Sequence, residues 1–181
     1  MPINKENAEV APGRAPKDST LSLYTAEQRA RRDSSIWTLV QGILAPIQFL
    51  VFLVSLALVL RYLATGNGLA IAMWSIVAKT LTLYVIMITG CIWEKAVFGR
   101  YLFAPAFYWE DVFSMLVLAL HTAYLAAFAL DVMSSRNLML LALAAYLTYV
   151  INAGQFVWKL RIARLNYARQ QKSPSNRRAP V

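Results

Sequence analysis

The stretch Leu69-Ala-Ile-Ala-Met-Trp-Ser-Ile-Val-Ala-Lys-Thr-Leu-Thr-Leu-Tyr-Val-Ile-Met-Ile-Thr-Gly-Cys-Ile92 decides the fold, because it runs through 24 residues with one charged side chain, Lys79. A helix of that length rises about 36 Å, enough to cross the roughly 30 Å of hydrocarbon in a bilayer. Three more stretches of the same kind lie at 36–62, 112–130 and 138–158. The connections Thr65-Gly-Asn-Gly and 131–137 are short and made of turn residues, so the helices they join are antiparallel neighbours. The expected fold is all-α, an integral membrane bundle of four transmembrane helices.

Outward from the spans the composition changes. Residues 1–34 and 161–181 carry 17 of the 27 charged residues (18 Lys and Arg, 9 Asp and Glu), while the 126 positions between them carry 10. Over all 181 residues 59% are apolar and 15% charged, against roughly 45–50% and 25% in soluble domains. Three regions follow: a polar segment at 1–34, disordered or lying on a surface; a four-helix membrane domain at 35–160; and a basic tail at 161–181. Within the first, Thr25-Ala-Glu-Gln-Arg-Ala-Arg-Arg reads as a short basic helix at the bilayer surface. The first apolar run comes too late for a cleaved secretory signal. The single cysteine, Cys91, excludes an internal disulfide and a Cys-rich metal site.

The connection between the second and third spans is long and aromatic: Trp93-Glu-Lys-Ala-Val-Phe-Gly-Arg-Tyr-Leu-Phe-Ala-Pro-Ala-Phe-Tyr-Trp-Glu-Asp. Amphipathic rings favour the headgroup zone, so it is expected to be an interfacial element, either a belt that anchors two helix ends or the wall of a pocket. Both tails, Lys159 and this loop hold 15 of the Lys and Arg, whereas the other two connections hold only Arg61 and Arg136. By the positive-inside rule both termini and the aromatic loop face the cytoplasm. The net charge of +9 fits attraction to anionic lipid; no nucleic-acid-binding motif accompanies it. No inverted repeat of the transporter kind is found.

Ionisable groups inside a span are costly and are functional candidates by default. Lys79 lies near the middle of the second span and His121 near the middle of the third, at similar depth. Glu110 and His121 are eleven positions apart, about 20° on the helical wheel and roughly 16 Å along the axis, with Ser114 on the same face and Asp111 about 80° away. In the fourth span Asn152 and Lys159 form a stripe flanked by Gln155, and in the first Gln41 and Gln48 are seven apart. Together they outline one cavity opening toward the cytoplasm. Plainer roles stay open: interhelical hydrogen bonds for Gln48 and Asn152, a structural partner or snorkelling for Lys79, and helix N-terminal stabilisation for Glu110 and Asp111.

One histidine cannot supply two-histidine haem ligation, and no GxSxG, Walker A, HExxH or GxGxxG motif occurs. An aromatic-rimmed cavity with two carboxyls near the surface and one deeper imidazole suits acid–base chemistry on a large apolar substrate, or pigment binding.

Four blocks carry a family likeness: Trp37-Thr-Leu-Val-Gln-Gly-Ile-Leu-Ala-Pro, Ile92-Trp-Glu-Lys-Ala-Val-Phe-Gly-Arg-Tyr-Leu-Phe-Ala-Pro, Trp109-Glu-Asp-Val-Phe-Ser-Met-Leu-Val-Leu-Ala-Leu-His-Thr-Ala-Tyr and Tyr149-Val-Ile-Asn-Ala-Gly-Gln-Phe. Over roughly 32–164 the chain resembles the 3-vinyl bacteriochlorophyllide hydratases. The resemblance implies a hydro-lyase of bacteriochlorophyll biosynthesis in the inner or intracytoplasmic photosynthetic membrane of a bacterium. It would add water to the C3 vinyl group of chlorophyllide a or a related chlorin, giving a 1-hydroxyethyl group.

Such a reaction needs an acid to protonate the terminal CH₂ and a site that delivers one water to the ring-stabilised cation. Burial beside a second carboxylate favours the protonated form of a carboxyl, so Glu110 and Asp111 are the expected proton donor and water-orienting base. His121 is expected as axial ligand to the chlorin magnesium, with acid–base work as its second option. Lys95 and Arg100 would pair with the free propionate of the substrate. Glu94, Tyr101, Trp109 and Lys79 complete the expected substrate contacts, and Gln48, Asn152 and Gln155 would hold the water. No protein cofactor is expected, since the magnesium belongs to the substrate. Partners are the pigment and the bilayer, not nucleic acid; small residues such as Gly90, Ala119 and Ala145 permit close packing within the chain, with a second copy, or with other enzymes of the pathway. The rival classes are a non-catalytic pigment carrier or photosystem assembly factor, and a proton- or ion-conducting bundle using Lys79, Glu110 and His121.

Overall fold

Thr25 opens the helical part of the chain by a reciprocal cap. Its hydroxyl accepts the Gln28 N–H while the Gln28 side chain accepts the Thr25 N–H, which satisfies two of the donors that a helix start leaves free. The computed structural model describes residues 23–172, and among them there are five helices and no strand. They are α1 (Ala26–Ser34), α2 (Ile36–Thr65), α3 (Leu69–Phe98), α4 (Tyr108–Ala129) and α5 (Ser135–Lys172). The expectations for the extreme ends of the polar lead and the basic tail fall outside the described residues. Ser35 ends α1 and caps α2, its side chain accepting the Trp37 N–H, so the short basic helix turns directly into the first span.

The last four helices are each long and apolar enough to cross a membrane, so the chain is an all-α integral membrane bundle. Their ends differ from the apolar stretches read in the sequence. At 30 residues each, α2 and α3 rise about 45 Å, well beyond the hydrocarbon thickness. Nothing in 93–98 breaks a helix, so α3 continues until Gly99, whose φ of 81° supplies the left-handed cap. The aromatic connection is thereby reduced to residues 99–107, and Glu94 sits on a helix instead of a loop. Likewise α5 continues beyond the expected domain boundary at 160, because Leu, Arg, Ala and Gln are good helix formers.

The helices pair as two antiparallel hairpins. α2 lies mainly on α3 and α4 mainly on α5, while the hairpins meet along a thinner seam where α2 approaches α5 and α3 approaches α4. The core at the end distant from the aromatic loop is built of Phe52, Val59, Ile76, Tyr124, Leu138 and Met139 with their neighbours. Outward faces carry apolar residues such as Leu50, Trp74, Ile88 and Leu147, the pattern that lipid contact allows. Of the small residues, Ala145 is buried within the chain, Gly90 faces Gln41 on α2, and Ala119 points outward.

At the loop end a second cluster closes the bundle. Tyr24, Val97 and Phe107 are buried there among Trp93, Phe98 and Phe156. Tyr24 stacks on Phe98 and Phe107 on Phe156, both with ring centroids 5.7 Å apart. Tyr101, Phe103, Tyr108 and Trp109 stay exposed. The aromatic residues thus divide between a packed plug and an outer rim.

Candidate active site

Polar side chains inside the bundle fall into two layers. The first lies at the loop end, where the last turns of α3, the first turn of α4 and the middle of α5 converge. Glu94, Glu110 and Asp111 are only 4%, 6% and 7% exposed. The backbone N–H of Ala104 lies toward the Glu94 carboxyl, but neither oxygen completes a hydrogen bond among the described residues. The carboxyl faces Asp111 instead, near enough for the two carboxyls to interact electrostatically. Two buried carboxylates side by side repel each other when both are charged.

Asp111 also accepts the Phe103 N–H at 2.8 Å through Oδ2. That bond holds Phe103 at φ 59°, a conformation rare for a bulky residue, and so ties the connecting loop to the acid pair. Glu110, next along α4, turns toward α5 and pairs with Lys159 at 2.6 Å. The Lys159 ammonium lies 5.1 Å from the centre of the Phe107 ring. One turn deeper, Asn152 donates to Ser114 Oγ at 2.8 Å, leaving its own carbonyl oxygen without a partner. Beside this layer opens a groove of about 730 Å³, with Glu110, Lys159 and Gln155 on its polar wall and Phe98, Pro105 and Trp158 among its apolar residues.

The second layer lies ten residues further along α4, about 15 Å away by helical rise. His121 is fully buried, its Nδ1–H donates to the Val117 carbonyl at 2.8 Å, and its Nε2 has no partner among the described residues. Because a carbonyl can only accept, the neutral ring carries its lone pair on Nε2. Lys79 is fully buried on α3, near enough to His121 to interact electrostatically, and its Nζ sits 3.9 Å above the Tyr149 ring. No side-chain hydrogen bond or carboxylate reaches that amine among the described residues. Tyr146 packs on His121 at 5.8 Å and bonds to Ser55 at 2.5 Å, which in turn contacts Ser75 at 2.7 Å. Gln48 is buried with both amide atoms unpartnered, as is the Tyr124 hydroxyl.

The other residues singled out in the sequence lie apart from these layers. Lys95 is exposed and donates to the Gly99 carbonyl at 3.0 Å, capping α3, with Tyr101 5.2 Å from its ammonium. Arg100, Tyr101 and Trp109 are exposed outside the groove. Gln41 bonds to Thr89 at 2.7 Å and joins α2 to α3. Sequence reasoning missed that Lys159 pairs with Glu110 and that Tyr146 and Tyr149 line the deeper layer. The signal was present in the spacing, since 146, 149, 152, 156 and 159 form one stripe of α5.

Residues 24–162 match the family model described as 2-vinyl bacteriochlorophyllide hydratase (BCHF). The chain belongs to this family. The 2-vinyl bacteriochlorophyllide hydratase of Cereibacter sphaeroides is 69% identical over 145 residues, covering 80% of this chain and 89% of the relative. That of Rhodobacter capsulatus is 66% identical over 151 residues, covering 83% and 87%. No solved structure matches. Both polar layers and the aromatic plug of this hydratase-family chain lie inside the matched region.

Proposed function

We infer that the chain hydrates the vinyl group of a bacteriochlorophyllide-type chlorin to a 1-hydroxyethyl group in bacteriochlorophyll biosynthesis. The observation that carries this is the family match over 24–162, with relatives of that name 66–69% identical over most of their length. The position numbered 2 in the family name is position 3 in systematic chlorin numbering.

The loop-end layer supplies groups suited to the reaction. The Glu94–Asp111 pair gives up its shared proton to the terminal CH₂, whose π electrons form the new C–H bond. The cation left on the carbon next to the ring is delocalised into the chlorin. A water held by Glu110 bonds to that carbon through an oxygen lone pair and releases a proton to the Glu110 carboxylate, from which it returns to the acid pair. Lys159 orients Glu110 through their 2.6 Å contact. Placed this way, Asp111 is the donor side and Glu110 the water-orienting side, with Glu94 sharing the donor's proton. Asn152 and Gln155 line the approach of the water. His121 is about 15 Å from these acids by helical rise, too far for direct proton transfer and further than a chlorin magnesium lies from its own vinyl carbon, so the proposed chemistry uses it neither as acid–base group nor as magnesium ligand. The magnesium belongs to the substrate and no protein cofactor is called for. The count of Lys and Arg favours an inner-membrane protein with both termini in the cytoplasm.

The test is incubation of membranes containing the protein with 3-vinyl chlorophyllide in oxygen-18 water, followed by mass analysis of the pigment. A hydroxyethyl product carrying the label, above an empty-membrane control, is expected. Pigment bound but unchanged would instead make the chain a carrier.

A further inference from the structure

α5 turns one face toward the groove beside the acid layer. Its residues 155, 158, 159, 162, 163 and 166 line that groove as a single stripe at helical spacing. Leu23 and Gln28, at the start of the α1 region, supply more of the wall, and Phe98, Pro105 and Ala106 close the side next to the loop. At about 730 Å³ the groove falls within the roughly 300–1,000 Å³ of small-molecule sites. Phe98, Trp158 and Ile162 offer apolar surface, and the Glu110–Lys159 ion pair brings the acid layer into the same wall. The Glu94–Asp111 pair lies against residues 103 and 104 of the loop that forms this side. A flat apolar ring system with polar groups on its edge suits such a lining.

The outer end of the groove carries a cation of a particular kind. Arg29 follows Gln28 on α1, and its guanidinium carbon lies 4.1 Å from the centre of the ring of Tyr167, which follows Asn166 on α5. Stacking fixes the guanidinium plane and leaves its edge N–H groups free to fork onto a carboxylate. Arg29 is half-buried, and no carboxylate pairs with it among the described residues, where the ion pairs are Arg32–Asp33 and Lys159–Glu110. Lys95 and Arg100 lie outside the groove, and Lys95 is engaged with the Gly99 carbonyl.

We propose that this groove is the berth of the macrocycle, with its vinyl edge toward Glu110 and its free carboxylate on Arg29. This rests on the hydratase function above. From Lys159, which marks the Glu110 end, to Tyr167 under Arg29, α5 rises about 12 Å, a separation that the vinyl and propionate substituents, extended from neighbouring rings of one chlorin, can bridge.

The experiment measures Kd for 3-vinyl chlorophyllide and its propionate methyl ester by pigment fluorescence, with the full chain in nanodiscs and empty nanodiscs as the blank. Wild type should bind the free acid about tenfold more tightly than the ester. Arg29→Gln should bring the acid down to the affinity of the ester. Arg29→Lys should keep part of the preference, since an ammonium retains the charge but not the fork. Ala163→Trp, which fills the groove, should weaken both pigments about tenfold or more, whereas Ala119→Trp, on the outward face of α4, should leave both unchanged. If Ala163→Trp does not fold, Ala163→Leu takes its place. Wild-type affinity in the groove-filled variant overturns the proposal, and so does an equal loss in Ala119→Trp. Equal binding of acid and ester by wild type also overturns it, as does a preference that survives Arg29→Gln or that disappears in Lys95→Gln and Arg100→Gln. Labelled alcohol from wild type alongside any of these failures defeats only the berth. Absence of labelled alcohol with the binding pattern intact defeats the hydratase function and leaves the berth standing.

Discussion

Glu94→Gln should move activity and stability in opposite directions. In the wild-type protein the carboxyl is 4% exposed and faces Asp111, and in the proposed chemistry the two share a proton. The substitution removes that proton as a reagent and introduces an N–H aimed at Asp111. Loss of a positioned general acid lowers kcat by about 10²–10⁴-fold, or about 3–5 kcal/mol of barrier. A hydrogen bond from the new amide to a charged carboxylate is worth about 1.5–3 kcal/mol in net terms, and some is spent ordering the side chain, so stability should rise by about 1 kcal/mol. Asp111→Asn should lower kcat by a similar factor, and the double variant should lose little more, since groups acting as a unit are not additive. Turnover is followed by oxygen-18 incorporation and stability by unfolding in mixed detergent–SDS micelles. Near-wild-type turnover in both single variants would refute the shared-proton donor, and so would a stability loss large enough to account for the missing activity.

Three further outcomes follow from single contacts. Lys159→Met leaves Glu110 unpaired; with side chains 8% and 29% exposed the pair is partly screened, so a loss of about 1–3 kcal/mol is expected, largely restored by adding Glu110→Met. A double-mutant cycle showing no coupling would contradict the ion pair. Ser114→Ala strips the Asn152 amide of its 2.8 Å acceptor and should cost about 1–2 kcal/mol in the same unfolding assay. Gly99→Ala should cost about 1–2 kcal/mol through its φ of 81° alone, because nothing lies within 4 Å of the added Cβ; Gly99→Asn should cost less, and equal losses would point to a steric cause.

Hydrophobicity and turn residues made the four spans legible, since a run such as 69–92 admits no soluble alternative. The helix ends were less so. Trp93 to Phe98 reads as loop because its rings and charges resemble an interface, yet only Gly99 has the conformational freedom to stop α3, and this one residue moves Glu94 from a flexible rim into the acid layer. Periodicity correctly grouped Glu110, Ser114 and His121 on one face, but a single helix cannot report which neighbour its side chains meet. Adjacent in sequence, Glu110 and Asp111 look like a pair; the 100° turn between consecutive residues sends them to different helices, to Lys159 on α5 and Glu94 on α3. Which carboxyls face each other is a property of helix packing, and it becomes visible only once α3, α4 and α5 are placed together.

Two hairpins that are each well packed and only lightly joined divide the making of this protein as well as its shape. α2 and α3 can enter the bilayer and associate before α4 has left the ribosome, because their contacts lie within one stretch of chain. The second hairpin then has only the seam left to form, and the short segment from Gly99 to Pro105, exposed except at Leu102 and the buried Ala104, joins the halves. A gene divided within that segment would therefore yield two coexpressed fragments, each a self-contained insertion unit. Their reassembly would bring Glu94 from one fragment against Asp111 from the other, so that catalytic activity itself reports the docking.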